Sequence, residues 1–306
     1  MSNLYHTSFY AMGTRCNLVI PDFEEELGEQ LTGIIKNEIH RIENSLSRFV
    51  PYSEISQINK NASQEPVHVS PEVFEILSTC SKYSRITKGA FDITLRPLYK
   101  YWEEHPSDPI SETQLNHILN EVGMKHLRLN QEDRSVSFDS RSLELDLGGF
   151  GKGYALEEIR TILEDFSIKN AFISFGESSI LTKGEHPAGD HWKIGINNYV
   201  NPGEPVHAFE IRDASVSTSS NFYMSDDGTL VKHRHVINPF TGHPMESCLA
   251  VSVCSKAPVF SEILSTALLV APDETIEALS DRSMPCEIVK VRYDSGEPEI
   301  STYIMT

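Results

Sequence analysis

Residues 146–154 read Asp-Leu-Gly-Gly-Phe-Gly-Lys-Gly-Tyr, and this run constrains the fold more than any other part of the chain. It follows an apolar, strand-like stretch and opens an amphipathic helix. Glycines at such a junction let backbone N–H groups come close to an anion, and a helix N-terminus favours negative charge. Lys152 adds a full positive charge. The familiar phosphate fingerprints are absent: there is no Gly-x-Gly-x-x-Gly, and Gly-Lys is followed by Gly153 rather than Ser or Thr. A glycine-rich turn packed closely on a sheet explains the same residues, so phosphate binding and close packing both remain open.

The surrounding chain reads as α+β. Residues 7–20 alternate weakly, with Val19 and Ile20, as a strand does. In residues 22–47, Leu27, Leu31, Ile34, Ile35, Ile39, Ile42 and Leu46 recur in steps of three and four and predict one long helix. Ser70-Pro71 is an N-cap with proline at the first helical position, and Gly89 closes that helix over a stripe of Val73, Phe74, Leu77, Cys80 and Tyr83. Ser111 starts another helix that ends at Gly123. Residues 126–130 and 135–139 read as a hairpin. Later strands are expected at Ala171–Phe175, Trp192–Ile196, His207–Ile211, Lys232–Ile237 and Leu249–Cys254. Helices are expected from Gly149 to about Asp165 and over Val259–Val270. Helices thus concentrate early and strands late, and no clean linker divides residues 1–306, which reads as a single domain.

Charge and cysteine usage narrow the function. The chain carries 26 Lys+Arg against 44 Asp+Glu, a net charge of −18. Gripping a nucleic-acid backbone or an anionic membrane needs a basic surface, so neither is expected as a partner. The five cysteines include no Cys-x-x-Cys pair, and Cys248 and Cys254 lack zinc-ligand spacing. They read as reduced thiols. The first twenty residues show no basic, apolar and small-residue succession of a signal peptide, and no run reaches the ~18 apolar residues of a membrane helix. The expected location is cytoplasmic.

Two further segments hold residue types suited to chemistry. In His235-Val236-Ile237-Asn238-Pro239-Phe240-Thr241-Gly242 a strand ends at a Pro-x-x-Gly turn, and histidine is the residue type that most often serves as a general base, although a lone histidine is often structural. His233, His235 and His243 lack the partner spacing of a zinc set. In Ser261-Glu262-Ile263-Leu264-Ser265-Thr266, Glu262 and Thr266 lie four apart on one helix face, and such oxygens suit a hard cation such as Mg²⁺. An acidic residue early in a helix is also commonplace.

Taken in order, the motifs resemble a family. Ala11-Met12-Gly13-Thr14, Ser47-Arg48-Phe49 with Ser53–Asn59, Gly89–Thr94, the glycine run, Ala171–Gly176, Thr218-Ser219, the His235 segment and the Glu262–Thr266 helix all occur in succession. The chain is similar over roughly residues 7–271 to the ApbE family of FAD:protein FMN transferases. The resemblance implies an ApbE-like α+β fold, with mixed and antiparallel sheets, packed helices and a flavin site between two lobes. It implies a Mg²⁺-dependent enzyme that moves the FMN half of FAD onto a Thr or Ser hydroxyl of an acceptor protein and releases AMP. His235 would be the base. Gly149 through its carbonyl, Glu262, Ser265 through its backbone, and Thr266 would hold the metal. FAD contacts would come from Met12, Phe49, Ala90, Phe91, Asp92, Asp146, Lys152 and Ile237, with Thr218 and Ser219 near the phosphates.

The pattern departs from the family at several positions. Glu262 stands where the family usually has Asp, Ser220 replaces a Gly, Asn238 replaces an Asp, and Gly176-Glu177-Ser178-Ser179 replaces a Gly-Gly-Asp-like turn. These mark a divergent branch. Two other readings stay open at the level of sequence: hydrolysis of FAD to FMN and AMP, and flavin binding without catalysis.

Overall fold

The computed structural model describes residues 4–105, 110–201, 203–225, 227–233, 236–280, 284–294 and 297–306. The chain starts with a hairpin rather than the one strand its alternation implies. β1 (Leu4–Ala11) and β2 (Thr14–Pro21) pair antiparallel from Leu4↔Pro21 to Ala11↔Thr14. The turn between them is Met12-Gly13, with φ of 51° and 71°. Two successive left-handed residues match strand twist, but Met is a rare choice for the first, so the turn carries no sequence signal. α1 (Glu25–Leu46) follows as expected, and Leu31, Ile35, Ile39, Ile42 and Leu46 are buried. Leu27 and Ile34 are exposed, so the packed stripe is narrower than the hydrophobic one.

The early helical part consists of α2 (Glu54–Asn61), β3 (Val67–His68), α3 (Pro71–Ile86), α4 (Arg96–Glu104), α5 (Glu112–Glu121), β4 (Leu127–Asn130) and β5 (Ser135–Phe138). Ser70 Oγ accepts the Val73 amide, and Ser111 forms a capping box with Gln114, as the two N-cap signals foretell. Gly89 donates its amide to the Ser84 carbonyl at φ 89°, a conformation glycine adopts without penalty. β4 and β5 form the expected hairpin, and β3 adds to its edge.

The later part consists of α6 (Gly151–Asp165), β6 (Ala171–Phe175), β7 (Ser179–Lys183), β8 (Trp192–Ile196), β9 (His207–Ile211), β10 (Ser215–Ser220), β11 (Phe222–Met224), β12 (Leu230–Lys232), β13 (Leu249–Ser255), α7 (Pro258–Val270), α8 (Glu274–Ser280), β14 (Cys286–Arg292) and β15 (Glu299–Met305). The main sheet runs β1-β2-β6-β7-β10-β13-β14-β15, and every neighbouring pair is antiparallel. The N-terminal hairpin is therefore part of the same sheet as the C-terminal strands, so helices and strands are less segregated than the sequence implies. The expected strand over Lys232–Ile237 is not continuous: β12 stops at Lys232. Residues 234–235 lie outside the described residues, and Ile237 forms only an isolated bridge to Pro244. The Asn238 side chain accepts the Phe240 amide at 2.8 Å and bends the chain into a turn there.

Burial alternates across the central strands. On β13, Val251 and Val253 face the core under α6 and α7, while Ala250 joins a second cluster with Trp192, Phe209, Val289 and Val291. The β8–β9 hairpin thus closes the far face of the sheet. All five cysteines are free thiols. Burial pushes Cys16 and Cys254 up to about 12 and Cys286 up to about 11, so these thiols are poor nucleophiles. No helix among the described residues is long and apolar enough to cross a membrane.

Candidate active site

Two parts of the chain meet at a cleft of about 520 Å³. One wall comes from the turn before α4 and the glycine run leading into α6; the other comes from β10 and α7. A volume of this size suits a nucleotide-sized ligand.

The glycine run is held at both ends. Asn59 clamps Leu145, accepting its amide at 2.7 Å and donating to its carbonyl at 2.9 Å. The Asp146 amide donates to the Ile93 carbonyl at 2.8 Å. Asp146 Oδ1 then accepts the Gly148 amide at 2.9 Å, and Arg48 Nε donates to Oδ2 at 2.6 Å. Beyond it, α6 crosses α7 closely. A Cβ at Gly153 would lie 2.7 Å from Glu262 Cβ and 2.8 Å from the Pro258 carbonyl oxygen. A Cβ at Gly149 would lie 3.3 Å from Thr266 Oγ1. The two open readings of the glycine run are therefore compatible: Gly153 serves close packing, and Gly148 and Gly149 line the cleft.

The crossing brings Lys152 onto Glu262, with Nζ 2.8 Å from Oε1. Glu262 is only 3% exposed. Its Oε2 accepts Ser179 Oγ at 2.8 Å from β7 and Ser217 Oγ at 2.6 Å from β10. Burying a carboxylate this deep is costly unless such partners surround it. A hydroxyl ladder continues along α7. Ser265 Oγ contacts Ser217 and Ser219 at 3.2 and 2.9 Å, and Ser219 reaches Thr266 at 3.2 Å.

On the opposite wall Asp92 is half-buried. Its Oδ1 accepts the Thr94 amide and hydroxyl at 2.7 and 2.6 Å, and Oδ2 accepts the Met124 amide at 3.3 Å. Burial outweighs these donors and raises its pKa above the ordinary aspartate range. Burial, with the Asp146 charge second, pushes the neighbouring Tyr99 up to about 12. For Asp92 the folded value exceeds the unfolded one. Its contribution to stability is therefore complete below the unfolded pKa and is lost as pH rises through the folded pKa. Asp92→Asn has no such slope. Its stability relative to the parent is expected to improve steadily from acid to neutral pH, as read by urea melts of both proteins. A pH-independent difference would refute the assignment.

Of the residues expected at the site, Ala90, Phe91, Asp92, Asp146, Gly149, Lys152, Thr218, Ser219, Ile237, Glu262 and Thr266 line the cleft. Ser265 lies beneath it, fully buried. Met12 and Phe49 are not among the lining residues. The Met12 methyl lies over Gly151, and its amide donates to Glu43 at 2.7 Å. Phe49 is 75% exposed with the Arg48 guanidinium 3.8 Å above its ring. His235 lies outside the described residues. The sequence reading missed Arg48, Arg96, Tyr99 and Ser178, all of which line the cleft. Arg96 pairs with Glu103 through two contacts of 2.7 and 2.8 Å. Arg48 could have been found from its place inside Ser47-Arg48-Phe49; Arg96 has no comparable signal.

The donor set named for a metal fits a hard cation in kind, since Gly149, Glu262, Ser265 and Thr266 offer only oxygens. The structure adds that the Glu262 carboxylate already carries a cation, the Lys152 ammonium.

Residues 12–289 match the model of the ApbE family. The chain belongs to that family. A Chlamydia muridarum protein named FAD:protein FMN transferase is 31% identical over 74% of this chain and 71% of its own length. Its namesake from Vibrio cholerae is 26% identical over 97% of this chain and 90% of its own length. Among solved structures, the flavin transferase ApbE from Vibrio cholerae superposes with a TM-score of 0.84 at 23% identity, covering 100% of this chain and 98% of that one. The ApbE protein from Thermotoga maritima gives 0.83 at 21% identity, covering 98% and 96%. These neighbours share the ApbE α+β architecture, in which antiparallel sheets pack against helices.

Proposed function

We propose that the chain is an FAD:protein FMN transferase, a reading that rests on family membership across residues 12–289. The observation in its own structure that supports this is the cleft in which Lys152 and the first turn of α6 face β10 and the α7 residues Glu262 and Thr266. In the reaction, a hydroxyl oxygen of an acceptor protein attacks the FMN phosphorus of FAD. The P–O bond to the AMP half breaks, and AMP leaves with the electron pair. The hydroxyl proton goes to a base, for which His235 is the candidate. Phosphoryl transfer depends mainly on positioning and on neutralising charge. Lys152 and the Gly148–Gly149 backbone would face the diphosphate. Thr218 and Ser219 would donate hydroxyl hydrogen bonds to it. Asp92, Phe91 and Ile237 would bound the ring systems. Mg²⁺, held by Gly149, Glu262, Ser265 and Thr266, would neutralise diphosphate charge. The acceptor group would be a Thr or Ser side chain, and the reduced thiols fit a cytoplasmic enzyme.

The test is incubation with FAD, Mg²⁺ and a Thr-bearing acceptor peptide, followed by intact-mass analysis. Release of AMP together with one FMN moiety on the peptide is expected. AMP with free FMN would instead identify a hydrolase, and no AMP would exclude both enzymes.

A further inference from the structure

The ion pair at the floor of the cleft raises a question of occupancy. Glu262 Oε2 is saturated by two buried hydroxyls, Ser179 and Ser217, which belong to neighbouring strands of the sheet. They fix the carboxylate so that Oε1 alone is left for a positive partner. In the structure that partner is Lys152 at 2.8 Å. Glu262 is fixed, being 4% exposed as a side chain, whereas Lys152 is 26% exposed and borders the cleft. Lysine is a point charge on a flexible four-carbon stem, so it leaves a partner more readily than the packed carboxylate does. A buried carboxylate left without a counter-charge is costly, but nothing requires that the counter-charge always be the same one.

We infer that Lys152 is an exchangeable counter-ion: its ammonium and a divalent cation are alternative occupants of Glu262 Oε1, and Ser179 and Ser217 are the positioning residues that make the exchange one-for-one. A cation arriving at Glu262 releases Lys152 into the cleft, where its charge faces the ligand's phosphates. The floor stays neutralised in both states, and the second positive charge becomes available only when the first site is filled. This deepens the transferase reading, on which it rests only for the identity of those phosphates.

The test needs no FAD. The parent, Lys152→Met and Glu262→Gln are titrated with Mg²⁺ by calorimetry, with thermal melts to confirm folding. Lys152→Met is expected to bind Mg²⁺ about tenfold more tightly than the parent, within the usual scale of coupling between linked sites. Separately, the proteins are treated with an amine-acetylating reagent and labelling of Lys152 is read by peptide mass. Saturating Mg²⁺ should raise Lys152 labelling several-fold in the parent while leaving the exposed Lys193 unchanged. Glu262→Gln should label at the raised rate without metal. Equal Mg²⁺ affinity of the parent and Lys152→Met, no binding to either, or Lys152 labelling indifferent to Mg²⁺ would each overturn the inference. AMP release measured on the same samples reports on the transferase reading independently.

Discussion

Gly153→Ala is expected to destabilise the protein by about 2 kcal/mol, the opposite of what helix propensity alone dictates. In an unhindered helix interior the change from glycine to alanine stabilises by roughly 1 kcal/mol. At Gly153 the new methyl would meet Glu262 Cβ at 2.7 Å, the Pro258 carbonyl oxygen at 2.8 Å and Val259 Cα at 3.1 Å. Two of these are backbone atoms of α7 and cannot rotate away, so α6 must shift. Overpacking of this kind costs about 1–3 kcal/mol, occasionally more. Gly33→Ala on α1 is the control, because nothing lies within 4 Å of its built Cβ; it should stabilise by roughly 1 kcal/mol. Urea denaturation of the three proteins decides the matter. A stabilised Gly153→Ala would show that the α6–α7 crossing is loose. The shift should also move Glu262 relative to Gly149 on the cleft floor, so transfer should fall together with stability.

His235→Ala carries the other large effect. As the candidate base, it should lower transfer by roughly 10²–10⁴-fold while leaving FAD affinity close to that of the parent. Single-turnover AMP release at saturating FAD, alongside flavin-fluorescence titration, separates the two quantities. Transfer at the parent's rate would remove His235 from the chemistry. A parallel loss of FAD affinity would recast it as a binding residue.

The parts of the fold that were legible in the sequence are those governed by local rules. α1 follows from steps of three and four, α3 and α5 begin at the cap residues Ser70 and Ser111, and α6, α7, β6, β8 and β9 fall close to where they are expected. β10 was missed because Ser215–Ser220 has almost no apolar pattern. Its serines serve the helix above it, where Ser217 holds Glu262 and Ser219 holds Ser265 and Thr266. The same limit applies to the site. Motifs in family order put about half of the cleft residues in view, because each is a local string. The partner of Glu262 was not in view: an acidic residue on a helix does not announce which lysine faces it. Ser179 is likewise a lone hydroxyl without periodicity. Lys232–Ile237 departs from the expectation because β12 ends at Lys232 and Ile237 makes only an isolated bridge to Pro244.

The order of strands in the main sheet has a kinetic consequence. β2 pairs with β6, and β10 lies between β7 and β13, so neighbours in space come from distant stretches of chain. The cleft needs Asp92 and Asp146 from the first half and Thr218 and Glu262 from the second. Loop-closure entropy must be met before such non-local pairings return any energy, which slows folding. The cleft's two walls therefore meet only once β10 and α7 have joined the earlier half, and a ligand that binds only the finished cleft draws the population toward the assembled state by mass action.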